Sequence, residues 1–321
     1  MSVDLVLIGR NEGDRLLRAL RAARGQARRL IYVDSGSTDG SVAAARAAGA
    51  LVVELDMSIP FSAARARNAG FEAAQATDPA PFVQFIDGDC ALVPGWVAAA
   101  EARLSQDDTL GLVTGWRSEI APEASLYNRI CDHEWRRPAG PIVACGGDMM
   151  VRAEAFAQAG GFDPTVIAAE DDDFCLRLAR AGWQLERLPL EMTRHDAAMT
   201  RFAQWWRRAV RAGHGFAQVG LRHPGHFRTE QRRVLAWGLV LPVIALVGAA
   251  KGPAVPVLVA LLYALSWLRS AKGLRAEGMP AAEARKQALL LTLSKFPNLI
   301  GMGKYWLTHL ARRRPRIIEY Q

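Results

Sequence analysis

The chain has little covalent bracing. Its four cysteines, Cys90, Cys131, Cys145 and Cys175, include no C-x-x-C pair and no short regular spacing. Neither a disulfide framework nor a zinc-thiolate site is expected from that set, and a reducing compartment suits it. A G-x-G-x-x-G run is also missing after the first strand-like stretch, where Gly9-Arg10-Asn11-Glu12-Gly13 stands instead. An NAD-type dinucleotide site would need those glycines. No basic-then-apolar leader precedes Val3, so no cleavable signal peptide is expected. Acidic residues are few where basic ones gather: nine arginines from Arg194 to Arg233 face only Asp196 and Glu230, and ten basic residues from Lys272 to Arg316 face Glu277 and Glu283. These blocks flank the most apolar stretch, so the net charge of +8 points to anionic lipid as partner and not to nucleic acid.

What remains is a chain of 321 residues, half of them hydrophobic and 22% charged, which suffices for a full core and excludes a disordered protein. Strand and helix signals alternate. Val3 to Ile8 reads as a strand, and Leu16, Leu17 and Leu20 recur at helical spacing. Leu30 to Val33 is a second strand, an alanine-rich helix starts at Ser41, and Leu51 to Leu55 is a third strand. A helix over Ala63 to Ala74 then leads into Phe82-Val83-Gln84-Phe85-Ile86, an apolar run that stops on Asp87-Gly88-Asp89. This βαβαβαβ order predicts an α/β fold with a mainly parallel, Rossmann-like sheet and helices on both faces. Ligands of such sheets bind at the carboxyl ends of the strands, where Asn11 and Glu12, Asp34 and Ser35, and Asp87 and Asp89 would converge. Two neighbouring carboxylates stay ionised most easily beside a cation, and hard oxygen ligands favour Mg²⁺ or Mn²⁺. Asp-Gly is also a common turn pair, so the strand end alone leaves both readings open.

Taken together, Asn11-Glu12, Val33-Asp34-Ser35-Gly36-Ser37-Thr38-Asp39-Gly40-Ser41, Ala66-Arg67-Asn68-Ala69-Gly70, Asp87-Gly88-Asp89, Gly146-Gly147-Asp148, Gly160-Gly161-Phe162-Asp163 and Glu170-Asp171-Asp172-Asp173 occur in an order and spacing that resemble a family 2 glycosyltransferase of the GT-A fold over about residues 1–215. The resemblance implies a nucleotide-sugar donor, a UDP- or GDP-sugar, bound by Asn11, Glu12, Asp34, Ser35, Arg67 and Asp87. Asp34 would accept a hydrogen bond from the base. Arg67 would meet the diphosphate or a loop, the other reading being an exposed helix charge. Asp89 would be the direct metal ligand, with Asp87 nearer the ribose or the ion's water shell, and Gly147 and Asp148 would face the sugar or acceptor. One departure is Gly9-Arg10 at the first strand end, where the family often has proline and a small or aromatic residue before the asparagine.

Glu170 to Asp173 precede Phe174, Leu178 and Ala181 at helical spacing, with Gly182 as the stop. Carboxylates favour a helix's first turn. The resemblance also makes the Glu170-Asp171 pair the source of the base, with Asp171 preferred, and implies inversion at the anomeric carbon. His195 is a candidate third metal ligand or diphosphate contact, or else a surface histidine. Gln204, Trp206 and Arg207 resemble the Q-x-x-R-W element that closes over the donor in processive relatives, but Arg208 replaces its tryptophan. A basic helix lying on the membrane would explain those residues equally. Ser125 to Pro141, with Trp135, Arg136 and Arg137, is poorly periodic and reads as an insertion or an acceptor-facing segment.

Val234 to Leu268 carries one charge, Lys251. Its two arms would be about 25 and 22 Å long as helices, short of a hydrocarbon core of about 30 Å. A hairpin turning at Lys251-Gly252-Pro253 is expected, in the bilayer or buried in a soluble domain. Two interfacial helices divided at Pro297 are expected over 283–311. The division expected is 1–225 for the glycosyltransferase domain and 226–321 for a helical membrane-associated region. The functional expectation is a metal-dependent glycosyltransferase at the inner membrane, its catalytic domain cytoplasmic, acting on a glycan or lipid-linked acceptor. A haloacid-dehalogenase-type phosphatase, which also ends a strand on D-x-D, and a non-catalytic nucleotide-sugar or glycan-binding module are the alternatives.

Overall fold

The computed structural model describes residues 2–312, so the end of the second basic block, within 313–321, lies outside the described residues. The chain forms two compact units, Met1–Glu123 with Cys131–Ala198, and Ala124–Ile130 with Met199–Gln321. The boundary expected at residue 225 lies inside the second unit, in the turn after its first long helix.

The first unit opens as expected, with β1 (Val3–Gly9), α1 (Asp14–Ala23), β2 (Arg29–Asp34), α2 (Ser41–Ala47), β3 (Leu51–Glu54), α3 (Ala63–Gln75) and β4 (Phe82–Asp87). These strands lie parallel in the order β3-β2-β1-β4. Side-chain alternation builds two cores from β1: Val3, Leu5 and Leu7 pack with Leu16, Ala19 and Leu20 of α1, while Val6 and Ile8 pack on the opposite face with Val33, Phe85 and Ala66. Each large apolar side chain so buried contributes roughly 1.5–3 kcal/mol. Leu17, read with the apolar face of α1, is instead exposed. Gly70 lets α3 lie against the sheet, since a Cβ there would collide with Val6.

The remainder adds antiparallel strands and one further parallel pairing, so the sheet is mixed while remaining mostly parallel, as expected. β5 (Cys90–Leu92) and α4 (Trp96–Gln106) lead to β6 (Leu110–Glu119). After α5 (Leu126–Trp135) and β7 (Gly140–Pro141), β8 (Met149–Arg152) inserts antiparallel between β4 and β6. Past α6 (Ala153–Gln158) and α7 (Glu170–Arg180), β9 (Gln184–His195) runs parallel to β6 and takes β5 and β7 antiparallel on its other edge. α5 corrects the poorly periodic reading of Ser125 to Pro141. Its inward face includes the buried amide of Asn128, which interrupts the apolar pattern. Register fixes the functional edge: Asp34 stands opposite Gly9, and Asp87 opposite Ile8, so both carboxylates leave the sheet beside the end of β1.

The second unit begins with α8 (Phe202–Arg222). α9 (Arg228–Leu235), a π-helical turn (Ala236–Val240) and α10 (Leu241–Ala249) continue as one helix of 22 residues, and α11 (Ala254–Ala276) has 23. Their lengths, about 33 and 35 Å, correct the expectation of short arms, because the helices extend into the flanking polar residues. The turn falls at Lys251-Gly252-Pro253, with Gly252 at φ +121°. Leu246, Val247, Leu258, Leu261 and Leu265 are exposed, so this is not a hairpin buried in a soluble core. α12 (Ala281–Leu293) and α13 (Lys295–Leu310) divide at Ser294 and not at Pro297, which sits in the first turn of α13 where backbone N–H groups have no helical acceptor. Nor do they lie free: Ala284 and Ala288 pack with Ala271 and Leu274 of α11, and α13 crosses α8 with Gly301 against the Val210 carbonyl and Gly213 against the Asn298 backbone.

Candidate active site

Gly88 turns the chain at the end of β4. Its N–H donates to the Ile8 carbonyl at 2.7 Å, and an added Cβ would stand 3.1 Å from both that oxygen and Glu12 Cγ. The turn sends Asp87 and Asp89 to different partners. Asp87 accepts from Arg67 Nη2 at 2.7 Å, and Arg117 Nη2 lies 3.5 Å away. Beneath it Asp148, 1% exposed, accepts the Asp87 N–H at 3.1 Å and the Thr193 hydroxyl at 2.7 Å, and pairs with Arg117 at 2.8 Å. Asp148 was expected to face sugar or acceptor. Both its oxygens are engaged inside the protein, so it acts as a strut under Asp87. Burial pushes the Asp87 carboxyl up, with Arg67 opposing.

Arg67 is buried, which removes the exposed-charge reading. It bridges Asp87 to Glu170 of α7, 3.0 Å from Nη1, and the Arg67–Glu170 pair spans 103 positions of the chain. Burial works against its charge, but Asp87, Glu170 and Asp171 outweigh it and hold the guanidinium protonated above its ordinary value. Gly147 passes so close that a Cβ would overlap this guanidinium, so its glycine is required by Arg67.

Asp89 pairs with His195 of β9, 3.2 Å from Nε2, and both are buried. His195 is therefore no surface histidine. Burial opposes protonation of its imidazole, but Asp89 and Glu119 prevail and push it up to about 9. The Asp89 carboxyl is held well below its usual range, burial being outweighed by His195 and then Arg117. Ligand atoms of Asp89, Cys90 and His195 lie within 4.8 Å of one another, as do those of Asp87, Cys90 and Asp148. The first trio offers a carboxylate and an imidazole; in the second, both carboxylates are engaged by arginine. Asp89 also lines a cavity of about 540 Å³, with Glu119 and the guanidinium-bearing Arg15, Arg18, Arg136 and Arg194.

At the ends of β1 and β2, Asp34 Oδ2 accepts from Gly36 N and Ser37 N at 2.9 and 2.8 Å, and Oδ1 accepts from the Tyr32 hydroxyl at 3.1 Å. Ser35 N donates to the Gly9 carbonyl. Asn11, in the left-handed region at φ 55°, staples the two loops: its N–H donates to Ser37 Oγ and its Oδ1 accepts from Thr38 N at 2.7 Å. Glu12 lies beside the acidic turn, paired with Arg15 at 2.9 Å. Burial, helped by the Asp89 charge, pushes it up to about 7. Asn11, Glu12, Asp34, Ser35, Arg67, Asp87 and Asp89 are thus gathered at one sheet edge.

α7 begins at this edge. Ala169 precedes it at φ 58°, an uncommon conformation for a residue with a Cβ. In the first turn Glu170 pairs with Arg67 and Asp173 with Arg177 at 2.9 Å. Asp171 is half-buried, and among the described residues no cation lies within ion-pair distance of it. Burial, together with Glu170 and Asp172, pushes it up to about 8. Its Oδ2 would lie 3.9 Å from a Cβ placed on Gly146. Trp206 and Arg207 belong to the second unit, on α8. Trp206 packs with Phe202, Arg207 is exposed, and Gln204 Oε1 caps the helix by accepting from Thr200 N and Arg201 N.

Arg117 and Glu119 are missing from the sequence reading, and Trp135 enters it only within a segment read as an insertion or as acceptor-facing. The signal for these two was Arg117-Ser118-Glu119, two charges two residues apart, which share one face of a strand. The Trp135 ring lies edge-on to His195 at 4.6 Å, with Arg117 5.5 Å from its centre.

The chain matches the model of glycosyl transferase family 2 over residues 4–153 and that of glycosyl transferase family group 2 over 125–294. Two Mycobacterium tuberculosis proteins, from strains CDC 1551 and H37Rv, named pre-mycofactocin glycosyltransferase, are each 27% identical over 276 residues. The matched region is 81% of this chain and 56% of theirs, so the chain spans little more than half the length of these relatives. Among solved structures, the Pyrobaculum calidifontis mannosyltransferase PcManGT, determined with GDP-Man and Mn²⁺, superposes with a TM-score of 0.64 at 18% identity, over 95% of this chain and 87% of that one. S. aureus TarS gives 0.50 at 14% identity, over 94% and 55%. At such identities the likeness is one of fold.

Proposed function

Because the chain belongs to the family 2 glycosyltransferases, we propose that it transfers a sugar from a nucleoside diphosphate to a hydroxyl of a glycan or lipid-linked acceptor, with inversion. The observation that carries this reading is Asp171. Its neighbour Glu170 is held by Arg67, while Asp171 itself sits half-buried at the strand-end edge and is pushed up to about 8. A carboxylate with that proton affinity suits removal of a hydroxyl proton as the oxygen becomes nucleophilic. The acceptor oxygen attacks the anomeric carbon from the face opposite the nucleotide, its proton passes to Asp171, and the diphosphate departs with the bonding electron pair. Asp34 and the stapled loop of Asn11 and Ser35 would receive the base, and Glu12 would lie beside the nucleotide. Arg67 and Arg117 keep Asp87 fixed where ribose and diphosphate would approach.

Asp89 and His195 Nε2 would hold a divalent cation. The low proton affinity of Asp89 and the clustered donor atoms fit one. A carboxylate with an imidazole suits Mn²⁺ better than the more strictly hydrated Mg²⁺. When bound, such an ion neutralises charge on a departing diphosphate. Asp87, also considered as a ligand, is engaged by two arginines and serves better as a support. The apolar hairpin with its basic flanks supports attachment to the inner membrane with the first unit on the cytoplasmic side. A haloacid-dehalogenase-type phosphatase is set aside by the family. A pure binding module would have no use for Asp171.

Thermal shift with UDP and GDP, each with and without Mn²⁺, tests the donor site. A shift for at least one nucleotide that grows with Mn²⁺ and is lost in Asp89→Ala supports the reading. No shift under any condition would count against it.

A further inference from the structure

Glu119 takes no part in the reaction just described, yet its carboxylate is among the most enclosed in the first unit, with no solvent exposure of its side chain. A buried anion is costly unless it is paired and hydrogen-bonded. Here Oε1 accepts from Ala121 N at 3.2 Å and Oε2 from Ala197 N at 3.0 Å, while the Glu119 N–H donates to Asp132 Oδ1 at 3.0 Å. These bonds fix the carboxylate beside His195, its direct neighbour in the parallel β6–β9 register. Glu119 Oε2 lies 3.7 Å from His195 Nδ1, within ion-pair range but just beyond a hydrogen bond, so this buried nitrogen has Glu119 as its nearest carboxylate and no closer hydrogen-bond partner among the described residues, while Asp89 Oδ2 lies 3.2 Å from Nε2 on the other side. The Trp135 ring packs against the imidazole in an edge contact, 4.6 Å between ring centres.

We propose that Glu119 is a positioning residue for metal binding: it holds His195 with Nδ1–H directed to itself, so that the Nε2 lone pair lies beside the Asp89 carboxylate and the two share one divalent cation. This rests on the reading of Asp89 and His195 as metal ligands. With the cation standing between Asp89 and Nε2, the imidazole proton is left to Nδ1, where the ionised Glu119 carboxylate can only accept it. The partner of the far nitrogen decides which imidazole nitrogen is free to ligate. A glutamine at 119 is nearly isosteric, but its NH₂ can donate to Nδ1 and thereby favour the opposite tautomer, with the proton on Nε2.

The test titrates Mn²⁺ alone into the full chain, followed by the electron paramagnetic resonance signal of the free ion, for wild type, His195→Ala, Glu119→Gln and the double variant. Glu119→Gln should weaken Mn²⁺ binding about 10- to 100-fold, approaching His195→Ala, and the double variant should lose no more. Unchanged binding in Glu119→Gln alongside weakened binding in His195→Ala overturns the role of Glu119 and leaves the ligand reading standing. Unchanged binding in His195→Ala overturns the ligand reading and the proposal with it. Independently of any variant, ring ¹⁵N spectra of the Mg²⁺-loaded wild type should show the His195 proton on Nδ1; a proton on Nε2 overturns the proposal.

Discussion

Asp171 shows how residue-level placement raises the proton affinity of an ordinary carboxyl. Its ordinary value of 3.8 is pushed up to about 8 by burial and by Glu170 and Asp172. The sign of the consequence follows from proton counting. Between those values the folded state binds the proton more tightly than the unfolded chain, so stability falls as pH rises from about 4 towards 8 and levels off above. Asp171→Asn does not titrate, and its melting temperature should exceed that of wild type by about 2–4 °C at pH 8 and by less at pH 5. Equal melting curves at both pH values would contradict the burial argument. At this scale much was legible. Asp34, Asp87, Asp89 and Glu170-Asp171 stand at strand ends or a helix start, where short spacing exposes them. Arg117, Glu119 and Trp135 lie within an ordinary-looking strand and a weakly periodic helix. They join the site only through the β6–β9 pairing and the packing of the last turn of α5, which no local spacing encodes.

At the scale of elements, the alternating apolar runs of the first hundred residues sufficed to predict the parallel half of the sheet. They could not give the direction of β8 or β5, because a short apolar run has the same periodicity whichever way it pairs. Gly70, Gly213 and Gly301 carry no signal of their own in the sequence, yet they are contact points between elements. Where α8 meets α13, the Asn298 backbone occupies the space a Cβ on Gly213 would need. Gly213→Leu should therefore force these two helices apart and destabilise the second unit by about 1–3 kcal/mol, seen as a lower melting temperature in detergent. An unchanged melting temperature would mean the helices do not cross there.

For the whole molecule, the expected hairpin exists, but its helices are longer than the apolar arms suggested because hydropathy ends before helicity does. With about 33 and 35 Å of helix against a hydrocarbon core of about 30 Å, the account predicts that the protein stays in the membrane fraction through high-salt and alkaline washing and leaves it only with detergent. Release by salt alone would indicate attachment through the basic residues and not insertion. The proposed reaction requires one group to accept the hydroxyl proton.

The most direct measurement compares nucleotide-sugar binding and sugar turnover in wild type and Asp171→Asn, using the same preparation, donor and Mn²⁺ concentration. The account predicts donor affinity within about 2-fold of wild type and turnover lower by about 10²- to 10⁴-fold. Turnover within a few-fold of wild type, with binding intact, would contradict it.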